Sequence, residues 1–83
     1  MGEERIISNH SNTIGRNLRK IRKSKNIRMK DMIIMLQLHS VEISRETLVK
    51  IEGGRQHIKL SQLRGLKELL DVSYEIILEE EKM

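Results

Sequence analysis

The chain has 83 residues, with no Cys, Phe or Trp and a single Tyr, and its formal net charge is +4. This length supports one small core, which must be built from Leu, Ile, Val and Met. The lack of Cys excludes disulfides, thiolate metal sites and cysteine nucleophiles. No apolar run approaches the roughly 20 residues of a membrane span. No signal-peptide pattern opens the chain, so we expect a cytoplasmic protein.

Charge is segregated along the chain. Residues 16–30 contain eight basic side chains and no acid, whereas residues 68–82 contain six acids and one Lys. One end therefore suits a polyanion and the other end would repel it. Most charge runs are simply solvated helix faces, and composition alone leaves both interpretations open.

Apolar spacing predicts an all-α domain of five short helices over residues 13–80. Residues 1–12 are polar and aperiodic, and we expect a flexible arm there, in which Ile6 and Ile7 are able to dock. Residues 81–83 form the end of an acidic tail. The alternating pattern of strands is nowhere convincing.

The first helix is predicted from a core-facing stripe of Ile14, Leu18 and Ile21, which recur at spacings of four and three. Thr13 is a candidate N-cap of this helix. Asn26 follows the basic run and suits a left-handed C-terminal cap.

The second predicted helix, residues 28–38, contains five consecutive apolar residues, Met32 to Leu36. A helix that is apolar on every side is either buried or presents a surface to a partner. Burial is the ordinary explanation, but so small a domain cannot easily cover all sides of one helix, and a partner surface stays open as an alternative.

The third predicted helix is short and has a capping residue at each end. Ser44 is a candidate N-cap, and Gly54 ends the helix because glycine adopts the left-handed conformation without steric cost. Leu48 and Ile51 lie on one face. A major-groove reader needs such an inner face bound to a core, with polar residues free to reach base edges. The predicted base-contacting residues are Arg45, Glu46, Thr47 and Lys50.

The last two helices are predicted from leucines and a serine cap. The fourth helix carries a stripe formed by Leu60, Leu63, Leu66 and Leu70. Ser73 can cap the fifth helix, in which Tyr74 and Ile77 fit core positions. Ile76 and Leu78 are then surplus apolar groups, which either complete the core or form a dimer interface.

Two motifs in this order and spacing resemble a known family. They are IGxxLRxxR over residues 14–22 and SRxTLxxIExGR over residues 44–55. The chain resembles the Cro and phage-repressor type of helix-turn-helix regulators, often called XRE-like, over residues 14–78. The resemblance implies a lambda-repressor-like fold, binding to double-stranded DNA and a homodimer.

The resemblance also implies roles for individual residues. Arg22 and Glu52 match a pair that forms a partly buried salt bridge between the first and third helices of similar proteins. Ser44 at the cap and Arg55 just after the third helix match positions that hold phosphates, and other basic residues near that helix suit the same role. The predicted phosphate contacts are Arg28, Lys30, Ser44, Arg55 and Lys59.

The sequence departs from the family pattern in the centre of the motif. Residues 37–44 replace a shorter turn, which predicts a lengthened connection between the second and third helices. Met29 stands where a phosphate-contacting Gln is common, and Ile33 replaces a small Ala. Gly53 stands where Asn or Arg often contacts the backbone.

Two functions from different classes follow. The first is a DNA-binding transcriptional regulator, a repressor, that binds a near-palindromic operator as a homodimer with the third helix in the major groove. The alternative is a protein-interaction module, antitoxin-like or regulator-binding, that keeps the fold but has lost specific DNA binding. The Met-rich apolar second helix motivates this alternative as the surface for a protein partner.

An enzyme is not expected. His10, His39 and His57 are far apart and lack a neighbouring Cys or paired acid at metal-ligand spacing, so we expect no metal and no cofactor. RNA binding by stacking is disfavoured because Tyr74 is the only aromatic side chain.

Overall fold

The computed structural model of the chain describes residues 5–6 and 13–79. Within this part, five helices confirm the predicted all-α fold. The helices are α1 (Thr13–Ser24), α2 (Met29–Leu38), α3 (Arg45–Glu52), α4 (Leu60–Leu70) and α5 (Tyr74–Leu78). Two short strands, β1 (Arg5–Ile6) and β2 (Ile58–Lys59), pair with each other.

One aliphatic core holds the helices together. Helix α1 packs against α3 and α5, and α2 packs against α3 and α4, so α3 contacts both α1 and α2. The buried apolar residues come from all five helices, the connector before α3 and strand β2. They are Ile14, Leu18, Met32, Leu36, Ile43, Leu48, Ile51, Ile58, Leu63, Leu66, Leu70 and Ile77.

Helix α1 lies directly on the backbone of α3. A Cβ atom at Gly15 would lie 1.8 Å from the carbonyl oxygen of Ile51, so only glycine permits this approach. Thr13, predicted as the N-cap, is instead the first residue of α1. Asn26 adopts the predicted left-handed conformation just after α1, with φ 58°.

The connector between α2 and α3 is long, as predicted, and it is anchored at both ends. Ser40 adopts a left-handed conformation with φ 60°, and the N–H of Val41 donates to the carbonyl of Leu36 at 2.9 Å. Val41 then packs on α4, where a Cβ at Gly65 would lie 2.4 Å from its Cγ2. Ile43 is buried in the core. The connector therefore holds α3 in a defined position.

Two residues of the predicted N-terminal arm pair with the domain. Strand β1 pairs antiparallel with β2, with Arg5 opposite Lys59 and Ile6 opposite Ile58. The expectation of no strands is wrong for these residues, because two residues are too few to show an alternating pattern. The remaining residues of the arm and those of the tail, 81–83, lie outside the described part.

Two predicted core residues are exposed. Leu60 is 42% exposed because it is the first residue of α4 and lies at the margin of the buried face defined by Leu63, Leu66 and Leu70. Tyr74 is 37% exposed because it is the first residue of α5, and its ring lies 5.3 Å from the ammonium of Lys67.

Asn17 ties α1 to the end of α5. Its side-chain amide donates to the carbonyl of Ile77 at 2.8 Å and to that of Glu79 at 2.7 Å. Carbonyls at a helix C-terminus have no partner within the helix, so this amide satisfies groups that α5 leaves open. At the other end, the N–H of Ile76 donates to the hydroxyl of Ser73 at 3.2 Å, the predicted cap.

Candidate nucleic-acid interface

Both ends of α3 are fixed by local hydrogen bonds. The N–H of Thr47 donates to the hydroxyl of Ser44 at 3.0 Å, which makes Ser44 the N-cap as predicted. At the C-terminus Gly54 has φ 75°, and the N–H of Arg55 donates to the carbonyl of Lys50 at 2.8 Å. These contacts set where the helix begins and ends.

A buried bidentate salt bridge connects α3 to α1. The Nε of Arg22 lies 2.9 Å from Oε2 of Glu52, and its Nη2 lies 2.9 Å from Oε1. The two side chains are only 9% and 5% exposed. The remaining nitrogen, Nη1, donates to the carbonyl of Ile27 at 2.8 Å. Arg22 is therefore structural, and the pairing implied by the resemblance is present.

The other basic residues of the run 16–30 lie on the surface. All seven are exposed: Arg16, Arg19, Lys20, Lys23, Lys25, Arg28 and Lys30. This leaves a strongly positive surface on α1 and the start of α2, of the kind that attracts a polyanion.

The two faces of α3 differ sharply. Leu48 and Ile51 are buried in the core, 0% and 2% exposed. Of the predicted base contacts, Arg45 and Glu46 are exposed, whereas Lys50 is partly exposed. These three side chains belong to the outer side of one helix, where they are available to a ligand.

Thr47 belongs to the cap as much as to the outer face. It is partly buried, and its Oγ1 accepts a hydrogen bond from the hydroxyl of Ser44 at 2.9 Å. The Ser44 hydroxyl thus serves Thr47 twice, once as an acceptor and once as a donor. The hydroxyl hydrogen of Ser44 and the N–H of Thr47 are therefore both engaged within the cap.

Val49 is a surface residue of α3 that the sequence interpretation missed. Its side chain is 40% exposed, and it follows Arg45 by four residues, so the two lie on one side of the helix. Its position outside the buried stripe formed by Leu48 and Ile51 is the sequence feature that indicates this exposure. An apolar side chain here can contact a thymine methyl group.

Two predicted base contacts form an ion pair with each other. The ammonium of Lys50 lies 3.2 Å from Oε1 of Glu46, and the side chains are 43% and 79% exposed. The pair lies opposite Leu48 and Ile51, at the centre of the outer face. An anionic acceptor and a cationic donor are therefore presented side by side.

The predicted phosphate contacts come from segments that flank α3: the start of α2, the two ends of α3 and the start of α4. Arg28 is exposed and pairs with Asp31 at 3.1 Å. Lys30 and Arg55 are exposed. Lys59 is partly buried as the N-cap of α4, where its N–H donates to Gln62 at 3.0 Å.

Helix α2 carries an apolar outer face. Met32 and Leu36 are buried, whereas Ile34 is 45% and Leu38 is 80% exposed. Ile34 and Leu38 are four residues apart and lie on one side of the helix. On α5, Ile76 and Leu78 are likewise exposed, at 50% and 43%.

Residues 5–6 and 13–79 contain no group of three His, Asp or Glu side chains that could hold a metal ion. None of the helices within these ranges has the length and apolar character needed to cross a membrane.

No protein-family model, curated protein sequence or solved structure matches this chain. The likeness to XRE-like regulators therefore stays a resemblance of motifs.

Proposed function

We propose that the protein is a sequence-specific DNA-binding transcriptional regulator that places α3 in the major groove. The observation that carries this proposal is the asymmetry of α3. Its inner face is fixed by Leu48, Ile51 and the buried Arg22–Glu52 bridge, whereas Arg45 and the Glu46–Lys50 pair lie outside. A reader of base edges needs a rigid inner face and free polar groups outside.

Affinity and specificity come from different residues in this proposal. The exposed Lys and Arg side chains of α1 and of the segments flanking α3 neutralise phosphates, which gives affinity for any sequence. Arg45 and its neighbours at the start of α3 contact base edges, which gives preference for one sequence. The resemblance to the Cro and phage-repressor family points to the same division.

A homodimer completes the proposal. Ile76 and Leu78 expose apolar surface on α5, and a second copy of this chain would cover it. Two copies of α3 about 34 Å apart would then meet successive major grooves of a near-palindromic operator. Such a dimer represses transcription by occupying DNA that the polymerase needs, and it acts in the cytoplasm.

The test of DNA binding is selection from a random-sequence duplex pool at two salt concentrations. We expect enrichment of a palindromic motif with half-sites about one helical turn apart. Affinity for the enriched duplex should fall by roughly 0.9 log units per log unit of salt for each phosphate neutralised. Absence of enrichment, together with binding that vanishes by physiological salt, would contradict the proposal.

The dimer has a separate test in sedimentation equilibrium of Ile76→Glu and Leu78→Glu. Burying a charge in an apolar interface is costly, so either substitution should shift the protein toward monomer. Leu60→Glu is the matched control, because Leu60 is exposed to a similar degree on α4. A wild-type monomer at all concentrations, or an equal shift in all three variants, would contradict dimerisation through α5.

The exposed Ile34 and Leu38 on α2 favour a second candidate, a protein-interaction module that has lost specific DNA binding. An apolar helix face fits a partner protein better than it fits phosphates. This candidate predicts no enriched DNA motif, with binding to a partner lost in Leu38→Glu.

A further inference from the structure

We infer that the Glu46–Lys50 ion pair reads one G·C base pair as a unit, and that it makes the protein reject DNA lacking this base pair there. The inference rests on the proposed function and adds to it the identity of a base pair. It also gives Glu46 a role, because a carboxylate is repelled by phosphates and does not by itself add affinity for DNA.

The geometry places an acceptor beside a donor at the centre of the outer face. Oε1 of Glu46 and Nζ of Lys50 are 3.2 Å apart, and Glu46 is the more exposed of the two at 79%. Residues four apart lie on one side of a helix. When α3 enters the groove, the side that carries Leu48 and Ile51 stays packed on the protein core. The opposite side, which carries Glu46 and Lys50, then faces the bases.

A G·C base pair presents the complementary pattern. In the major groove cytosine offers its N4 amino donor, and guanine of the same pair offers the acceptors O6 and N7. Glu characteristically accepts from cytosine and Lys donates to guanine, so both members of the ion pair select the same base pair. Adenine is instead matched by Asn or Gln, and thymine by an apolar group.

The carboxylate also imposes a cost on the wrong sequence. Inside the groove Glu46 approaches phosphates and loses water, and only an amino donor compensates for this loss. Where the donor is missing, Glu46 keeps only its contact with Lys50, and nothing replaces the water it has lost. Glu46 thus lowers affinity for random DNA, which raises specificity by penalising competitors.

The experiment compares wild type with Glu46→Gln on the enriched duplex, on single base-pair variants of it and on a random duplex. Wild type should lose about tenfold in affinity or more when guanine becomes adenine and cytosine becomes thymine, because the thymine O4 acceptor then replaces the cytosine amino donor. Glu46→Gln should lose clearly less at that position and should bind random duplex several-fold more tightly. Because Glu46 is 79% exposed, the variant should fold normally, which thermal melting checks.

Asp31→Asn is the matched control. Asp31 forms a second solvent-exposed ion pair, with Arg28 at 3.1 Å, and its substitution removes the same charge. Freed from Asp31, Arg28 gains access to phosphate, so affinity should rise by a similar factor for every duplex. Base preference should stay as in wild type, because phosphate contacts carry no sequence information.

A charge exchange tests whether the pair acts as a unit. Glu46→Lys combined with Lys50→Glu keeps the net charge and exchanges the donor with the acceptor. The preferred base pair should invert, from C·G to G·C on a given strand. An unchanged orientation would contradict reading as a unit.

The outcomes separate this inference from the proposed function. A wild-type motif in which no G·C position responds to Glu46→Gln, or in which the responding position is A·T, overturns the inference and leaves DNA binding intact. Lack of any enriched motif overturns the proposed function, and the inference falls with it.

Discussion

Helices α2 and α3 are neighbours in the chain and in the fold, yet they present opposite surfaces to solvent. The outer face of α3 carries Arg45 and the Glu46–Lys50 pair, whereas the outer face of α2 carries Ile34 and Leu38. Both helices contribute buried residues to the same core. The outer face of α3 is mainly charged, with Val49 as its exposed apolar residue, whereas the outer face of α2 is mainly apolar beyond Lys30 at its start.

The two helices also differ in how firmly they are held. Helix α3 has a side-chain N-cap at Ser44, a glycine at its end and the bridge from Glu52 to Arg22. Helix α2 has Arg28 at its N-cap position and no side-chain cap hydrogen bond. Precise positioning is what base recognition requires, and a protein-binding apolar face tolerates more freedom.

Glu52→Ala should have the largest effect on stability. It leaves the Arg22 guanidinium buried without its anion, which costs about 3–5 kcal/mol of unfolding free energy. Urea denaturation followed by circular dichroism measures the loss. The exposed-pair variant Lys50→Ala should cost less than about 1 kcal/mol, because solvent screens that pair. Similar losses in the two variants would contradict the distinction between the buried and the exposed pair.

Gly15→Ala should also destabilise the protein, by separating α1 from α3. The new Cβ would overlap the carbonyl of Ile51, so α1 and α3 must separate, at a cost of about 1–3 kcal/mol. Gly53→Ala is the control, since Gly53 has φ −84° and its nearest contact is 3.3 Å away. A Cβ at Gly53 would make a tight contact with the carbonyl of Val49 but no overlap, so the change in stability should be far smaller than for Gly15→Ala. Thermal melting compares both with wild type, and a neutral Gly15→Ala would contradict the close packing of α1 on α3.

Substitutions at the N-caps of α3 and α2 should change the free energy of unfolding by smaller amounts and with opposite signs. Ser44→Ala removes the hydrogen bond to the N–H of Thr47 and should cost about 1 kcal/mol. Arg28→Ser gives α2 the side-chain cap it lacks and should stabilise by a few tenths to about 1 kcal/mol. Calorimetry of both variants measures the shift in melting temperature. Destabilisation by Arg28→Ser would mean that its ion pair with Asp31 outweighs a cap.

Leu38→Gln should have the smallest effect. At 80% exposure the side chain contributes little to the core, so stability should change by less than about 0.5 kcal/mol. DNA affinity should also stay unchanged. Leu36→Ala on the buried side of α2 should cost about 2–5 kcal/mol in the same urea assay. A large stability loss in Leu38→Gln would show that α2 has no free apolar face.

Local chemistry explains why the sequence predicted the five helices. Aliphatic spacing identifies the buried sides, and Ser44, Gly54 and Asn26 mark helix boundaries because their side chains or backbone freedom satisfy helix ends. The spacing of four residues allows an ion pair between Glu46 and Lys50, and the structure shows that this pair forms.

Contacts between distant segments were not predictable in this way. The side-chain amide of Asn17 donates to the carbonyls of Ile77 and Glu79 at the end of α5. Nothing in the local pattern of α1 indicates these partners. The exposure of Leu60 and Tyr74 depends on how α4 and α5 pack, which spacing alone leaves undetermined. The pairing of β1 with β2 involves too few residues to leave a periodic signal.

Arg45→Ala tests most directly whether α3 contacts bases while the residues that flank it contact phosphates. Its affinity should be measured on the enriched duplex and on a random duplex, with Arg55→Ala as the control. We predict that Arg45→Ala weakens binding to the enriched duplex by about 5- to 150-fold more than to random duplex. Arg55→Ala should weaken both equally. Equal losses on the two duplexes in Arg45→Ala would contradict base reading by α3.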